Sequence, residues 1–236
     1  MALPWKTLDC CTIEGEGSLE LRQRGAGDFL ITLDALILMN SKAQRSEQAL
    51  GKLGCRGLME RKAPRVLVGG LGMGITLRAT LDALPATARV VVAELNPRIL
   101  DWCRGPLAEL TAGAAGDPRV AVEIADVADL IRRAAAESFD AIILDLYRGP
   151  HPRTDPRNDP IYGSLAIERA RKALKPGGLF AVWGENPDRG FEERLAAAGF
   201  SVRCERPGRG GYRHAVWVAE KLPGAGKKGR GDDGRV

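Results

Sequence analysis

Between Pro64 and Trp183, five short apolar runs alternate with segments long enough to be helices: Arg65–Gly69, Val90–Glu94, Val120–Ile124, Ala141–Asp145 and Leu179–Trp183. A strand that is apolar on both faces must be covered on both, and strands separated by a helix of chain run parallel. The pattern therefore predicts a doubly wound α/β sheet. Its helices are expected over Thr76–Leu84, Pro97–Leu110, Val127–Ala136, Ser164–Leu174 and Phe191–Ala198. Pro97 suits a first helical turn, where a missing N–H costs little. Two further strands, Ser201–Glu205 and His214–Ala219, have no helix between them and are expected to close the sheet as an antiparallel hairpin, whereas a plain dinucleotide-binding sheet would continue with parallel units.

Ahead of this pattern, Thr12 to Leu38 alternates loosely between apolar and polar residues, and Gly15, Gly17, Gly25 and Gly27 punctuate it as turns would. A small antiparallel sheet is expected there. Gln44 to Arg61 then reads as a connecting helix interrupted near Gly54 or Gly57. The expected division is a small sheet with its connecting helix over 1–62, a Rossmann-like cofactor-binding domain over 63–220, and a basic, disordered tail over 221–236 that is rich in Gly and Lys and has little apolar surface to bury.

Composition narrows the functional classes. No apolar stretch approaches the ~20 residues that cross a bilayer, and the first eleven residues lack the basic start and apolar run of a signal peptide, so a soluble cytoplasmic protein is expected, with no membrane partner. Cys10, Cys11, Cys55, Cys103 and Cys204 form no CxxC pair and read as reduced, small apolar residues. The net charge is +5, but the segment from Lys221 onward holds five Lys/Arg against two Asp and supplies +3 of it. With the body near balance and no basic stripe interleaved with aromatics, no nucleic-acid partner is expected. His151 and His214 are too few for a metal site, and no metal is expected. Trp102, Trp183 and Trp217 read as core packing.

The strand Val66–Gly69 runs into the glycine-rich turn Gly70-Leu71-Gly72-Met73-Gly74 and then a helix. Glycines at 70, 72 and 74 let backbone approach a ligand closely, although a tight strand-to-helix turn with no ligand has the same appearance. Glu94 ends the next strand, 20 positions after Gly74, where an acid can accept from both hydroxyls of a ribose. Ile75 stands where a pyrophosphate-binding fingerprint has its third glycine, which favours a nucleoside ligand over a dinucleotide. Asp126 follows the third strand, where it can accept from an adenine amino group beside the Val127 N–H, or simply cap a helix. Asp145 ends the fourth strand at the carboxyl edge, where such sheets bind ligands, and is the residue best placed for catalysis. The long loop Tyr147–Gly163 suggests an acceptor gate or an ordinary exposed connection; Asn158, Tyr162 and Arg148 are its candidate contacts, with Glu185 and Asn186 beyond the Trp183 strand. Arg45 and Glu47 either face the cleft or form a surface pair.

Several of these pieces together resemble the spermidine synthase-like branch of the class I S-adenosylmethionine-dependent methyltransferase superfamily. They are the Gly69–Gly74 turn, Glu94-Leu95-Asn96-Pro97, Asp117-Pro118-Arg119-Val120, Ala125-Asp126-Val127, Phe139-Asp140 through Asp145, and Leu174-Lys175-Pro176-Gly177-Gly178. The resemblance implies a Rossmann-like methyltransferase sheet preceded by a small β-sheet. It implies S-adenosylmethionine or its decarboxylated form as cofactor, with Glu94 on the ribose, Asp126 on the adenine, Leu95, Val127 and Leu146 beside them, and Asp145 next to the reacting amine. Relatives are often dimers, which makes a homodimer an expectation, with the small sheet supplying an edge.

Other signature positions depart from the family. After Leu33-Asp34, its L-D-G-x-x-Q pattern meets Ala35 and Leu38; its Tyr-His-Glu triplet falls on Glu47-Gln48-Ala49 in a gap-free alignment; and Arg148 replaces its second Asp. A polyamine is a string of ammonium groups that needs carboxylates along its path, and an Arg there would repel it. The sequence reading therefore favours a methyltransferase acting on a small-molecule amine acceptor over a polyamine aminopropyltransferase. A non-catalytic nucleoside-binding protein is the alternative of another class.

Overall fold

The structure is a computed structural model that describes residues 3–34, 36–208 and 214–222. Two sheets organise these residues. The first is an antiparallel meander of β1 (Lys6–Ile13), β2 (Gly17–Arg24), β3 (Asp28–Leu33) and β4 (Leu36–Asn40). It starts before the expected Thr12, because β1 is an edge strand with mostly exposed side chains and carries no hydrophobic period to read.

Helix α1 (Arg45–Gly54) leads to the second sheet, built from β5 (Arg65–Gly69), α2 (Ile75–Asp82), β6 (Arg89–Glu94), α3 (Pro97–Arg104), β7 (Val120–Ile124), α4 (Val127–Arg133), β8 (Phe139–Leu144), α5 (Ser164–Ala173), β9 (Leu174–Gly184), α6 (Arg189–Ala197), β10 (Phe200–Glu205) and β11 (Ala215–Lys221). The strand order is β10-β11-β9-β8-β5-β6-β7. Strands β5 to β9 run parallel, and β11 lies antiparallel to both β9 and β10, as the hairpin reading expected. The order reverses between β5 and β8, so their carboxyl ends flank a crevice, the usual ligand position in an open α/β sheet. Among the described residues no helix is long and apolar enough to cross a membrane.

Alternation along β5 shows why both faces are buried. Val66 and Val68 join one apolar cluster with Leu50, Leu77 and Val92, while Leu67 joins the other with Ile142, Phe180 and Ile167. Leu19, Leu21, Phe29 and Ile31 of the small sheet belong to the first cluster, so the two sheets share a core. A polar tie reinforces this contact: the Trp102 indole N–H of α3 donates to Asp9 of β1 at 2.8 Å.

Helix α3 stops at Arg104, short of the expected Leu110, because Pro106 disfavours helical backbone at Gly105; two short 3-10 turns at Glu109–Thr111 and Ala114–Gly116 complete the segment. Helix α1 ends at Gly54, and its glycines act by size. A Cβ on Gly51 would meet the Thr76 carbonyl at 2.8 Å, and one on Gly54 would meet Ile143 Cγ1 at 2.8 Å. The helix therefore lies hard against α2 and the sheet, which fixes where its first turn points. Lys221, placed in the tail by the sequence reading, closes β11, and its ammonium donates to the Leu174 carbonyl at 2.5 Å. The tail beyond Leu222 lies outside the described residues.

Two motifs quoted for the resemblance prove to be braces. Arg119 is held by Asp117 and also donates to the Leu81 and Leu84 carbonyls at the end of α2. The Arg119 guanidinium holds the Asp117 carboxyl down at about 2. Asp140, almost fully buried, accepts from Arg61 (2.7 Å), the Arg65 amide (2.8 Å) and Lys175 (2.7 Å), and so joins the segment after α1 to β5 and β9. Burial alone would raise its pKa; the Lys175 ammonium and the other donors outweigh burial and hold it below the usual carboxylate value.

Asp140→Asn should therefore destabilise the fold by about 2 kcal/mol, less than the ~3–5 typical when a partner charge stays buried, because Arg61 and Lys175 keep access to water. Because the folded pKa of Asp140 is depressed, its contribution is present above the ordinary 3.8 and is lost as pH falls through the folded value. Urea denaturation should show the deficit at neutral pH and a shrinking one in acid; an equal deficit at both would contradict this charge account.

Candidate functional site

The crevice is assembled from strand ends, beginning with the glycine turn. The Gly70 amide donates to the Ala93 carbonyl at 2.9 Å and the Asp145 amide to the Gly69 carbonyl at 2.8 Å, which extends the sheet to its rim. Gly70 has φ +86°, and a Cβ there would stand 2.2 Å from the Asp145 carbonyl oxygen. A Cβ on Gly72 would meet the Met39 sulfur of β4 at 2.5 Å. Packing within the chain is thus sufficient reason for these two glycines, and ligand approach has to be argued from their surroundings.

Glu94 is the first of those surroundings. Its Oε2 accepts from the Leu71 amide and its Oε1 from the Asn96 amide, each at 2.9 Å, so the carboxylate is clamped at the rim between the turn and α3. A carboxylate has about four lone-pair positions, so two neighbouring hydroxyls can still be accepted. Leu95 is 71% exposed and Ile124, at the end of β7, is 47% exposed; together they offer an apolar wall beside Glu94 that suits the flat face of a base. Asp126 is exposed and caps α4, its Oδ1 accepting from the Ala128 amide at 2.8 Å. Val127 packs its side chain on Gly69, and Leu146 packs beside Gly70.

Across the turn stands Asp145. The residue is half-buried but its carboxyl is enclosed, with Oδ2 accepting from Thr76 Oγ at 2.5 Å. Burial pushes its pKa up to about 7, and the negative charge of Glu47 adds to the rise, while the Thr76 hydroxyl opposes it. Glu47 comes from the first turn of α1, brought over the crevice by the close packing at Gly51 and Gly54. Its Oε2 accepts from Ser46 Oγ at 2.6 Å, and Ser46 lies 3.0 Å from Nδ1 of His214, just before β11. The Trp183 ring packs edge-on against His214, with centroids 4.8 Å apart, so this tryptophan walls the crevice and is only partly a core residue. Of the two sequence readings of Glu47, cleft and surface pair, the structure supports the cleft.

The expected acceptor contacts are placed less directly. Tyr162 is buried and turned inward, with its hydroxyl donating to the Arg148 carbonyl at 2.8 Å and its ring edge-on to Phe191. Burial, Asp159 and Asp145 raise its phenol pKa, so Tyr162 lies within electrostatic reach of Asp145 while its proton secures the loop. Asn158 is exposed and its side chain serves a turn around Asp155. Glu185 is exposed one residue beyond β9. Arg148 is exposed, its guanidinium 5.5 Å from the Tyr147 ring centroid. The loop is pinned at its start as well, because a Cβ on Gly149 would meet Gly184 Cα at 2.4 Å. It is a tethered rim more than a free gate.

The chain is similar to several known proteins. The Spermine/spermidine synthase domain matches residues 53–192, more than half of the chain. A polyamine aminopropyltransferase of Mycobacterium tuberculosis (strain ATCC 25618 / H37Rv) is 36% identical over 127 residues, which is 53% of this chain and 23% of that protein. Putrescine N-methyltransferase 2 of Nicotiana attenuata is 32% identical over 122 residues, 52% of this chain and 31% of that protein. The matches thus span less than a third of either relative's length. Among solved structures, spermidine synthase from Thermotoga maritima superposes with a TM-score of 0.71 at 20% identity, covering 92% of this chain and 73% of that one, which shows the shared fold. With the domain match spanning the glycine turn, Glu94, Asp126 and Asp145, the chain belongs to the spermine/spermidine synthase family.

Proposed function

We propose that this protein transfers an alkyl group from an S-adenosylmethionine-type cofactor to a small amine, and that the group is aminopropyl. The observation that carries the reading is the pair of carboxylates, Asp145 and Glu47, gathered beside the glycine turn and close enough for one to raise the pKa of the other. Such a pair attracts a cation. It also supplies the negative charge that the sequence lacks at Arg148, whose own charge is exposed and screened by solvent. A polyamine acceptor is thereby compatible with an Arg at 148, and the likeness to an aminopropyltransferase supports the same reading. Methyl transfer is the second reading, favoured by the likeness to a putrescine N-methyltransferase.

The residues at the rim fit an adenosyl group: Glu94 for the ribose, Leu95 and Ile124 for the face of the base, Asp126 with the Val127 N–H for its edge. When bound, such a cofactor supplies an electrophilic carbon on a cationic sulfur that departs as a neutral thioether. The chain's own residues orient the acceptor and manage its proton. Glu47 holds an ammonium end of the acceptor, and Asp145, fixed at Oδ2 by Thr76, receives the proton that the attacking nitrogen sheds. A carboxylate whose pKa has been lifted toward neutrality takes that proton more readily than an ordinary one.

Three outcomes follow. With the decarboxylated cofactor and a panel of linear diamines, mass spectrometry should find products enlarged by an aminopropyl group; methylated products from S-adenosylmethionine alone would move the assignment to the second reading. The free-enzyme kcat/KM should rise with pH through about 7 as Asp145 ionises, and Glu47→Gln, by removing the neighbouring charge, should move that midpoint to lower pH. Because the folded pKa of Asp145 is raised, its contribution to stability is full below the ordinary 3.8 and is lost as pH rises toward about 7. Asp145→Asn should therefore abolish turnover yet melt higher than the wild type in mildly alkaline buffer, with the gain vanishing near pH ~4. A variant that melts lower at every pH would refute the enclosed-carboxyl account.

A further inference from the structure

We infer that His214 is a positioning residue for the acceptor end of this site: it commits the Ser46 proton to Glu47 and so fixes the direction of that carboxylate beside Asp145. The amine-binding part of this inference rests on the transferase reading; the hydrogen-bond chain does not.

Proton counting directs the chain. Ser46 Oγ lies 2.6 Å from Glu47 Oε2 and 3.0 Å from His214 Nδ1, and a hydroxyl has one proton to give. An ionised carboxylate only accepts, so the proton on the shorter contact belongs to Ser46 and points at Glu47. The 3.0 Å contact then has to be an Nδ1–H donating to the serine oxygen. The opposite polarity would set an oxygen lone pair against the carboxylate at 2.6 Å, which is repulsive. His214 therefore carries a proton on Nδ1, whether its ring is neutral or cationic.

Each member is held by a different rigid part of the fold. Ser46 is buried at the start of α1, which Gly51 and Gly54 seat against α2 and the sheet. Glu47 lies in the first turn of that ten-residue helix, where the dipole also favours a negative charge. His214 precedes β11, whose Ala215 and Val216 pair with Gly184 and Trp183 of β9, and the Trp183 ring packs against the imidazole. The final hairpin of the sheet is thereby coupled to the acceptor side of the crevice across 168 positions of sequence. With its geometry locked, Glu47 spends less conformational entropy on meeting an ammonium group, which is an effect on acceptor affinity and not on the adenosyl side.

The chain holds two histidines, His151 and His214, so ring-nitrogen NMR of 15N-histidine-labelled protein, assigned with His151→Gln, resolves both. The expected signature is a His214 ring protonated at Nδ1; a neutral ring protonated at Nε2 alone overturns the inference. In kinetics, His214→Ala should raise KM for the amine roughly tenfold, the worth of one such hydrogen bond, with the affinity for methylthioadenosine unchanged by calorimetry. His214→Asn, which places an amide N–H near the Nδ1 position, should restore most of that loss. Ser46→Ala should match His214→Ala, and the double variant should be no worse than either, because both cut the same chain. An unchanged amine KM in His214→Ala, or fully additive losses, would overturn the coupling. If the wild type turns over no amine, the transferase reading falls while the tautomer still decides the hydrogen-bond chain.

Discussion

The site depends on one backbone contact, the close approach of the turn after β5 to the chain leaving β8. Gly70 and the Asp145 carbonyl leave no room for a Cβ between them, and the ladder bond from the Asp145 amide to Gly69 holds the two segments in register. From this contact the rest of the rim follows. With its carbonyl on Gly70, Asp145 directs its carboxyl to Thr76 at the start of α2; on the other side of the turn, the Leu71 amide meets Glu94. Two acids, Glu94 and Asp145, are thus set on opposite sides of a single glycine-rich turn. Sheet geometry fixes their separation, and loop conformation has little part in it.

The same arrangement is costly to fold. Enclosing Asp145 near Glu47 brings like charges together away from bulk water, and the protein answers by keeping Asp145 protonated well above the usual carboxylate range. A soluble domain with no use for this pair would gain stability from an amide at either position. The pair is built on rigid elements, Glu47 on α1 and Asp145 at the end of β8 held by Thr76, and not left on a mobile loop. On the proposed reading, a positively charged acceptor would relieve the repulsion that folding imposes, and part of the folding cost would return as affinity.

The sheet was legible in the sequence because strands covered on both faces read as unbroken apolar runs, and because the absence of a helix between the last two strands leaves antiparallel pairing as the short connection. Edge strand β1 has no such run and is not legible from Lys6 to Cys11. Glu94, Asp126 and Asp145 were legible as strand-end acids, since their positions follow from the strands themselves. Glu47 was not decidable, because its place depends on how closely α1 approaches α2; of the two glycines that permit this, Gly54 reads in the sequence as an interruption of the helix and Gly51 carries no signal there, although both are contact surfaces. Ser46 and His214 were hidden for a stronger reason: they are 168 positions apart and meet only through the pairing of β11 with β9. Tyr162 was assigned to an acceptor on residue type, but a buried hydroxyl needs a partner, and the Arg148 carbonyl is that partner.

The departures from the family pattern then take on a different meaning. Read along the sequence, Arg148 in place of an acid is a lost amine contact. In space, the acid near Asp145 is Glu47 of α1, and Coulomb attraction specifies a distance and a dielectric and is indifferent to which helix or loop carries the charge. Hydrogen-bonded positions such as Glu94, clamped by two amides, cannot migrate in this way, because direction matters as much as proximity. A divergent member of the family is therefore expected to keep its nucleoside-side residues in register while its acceptor-side charges move between elements.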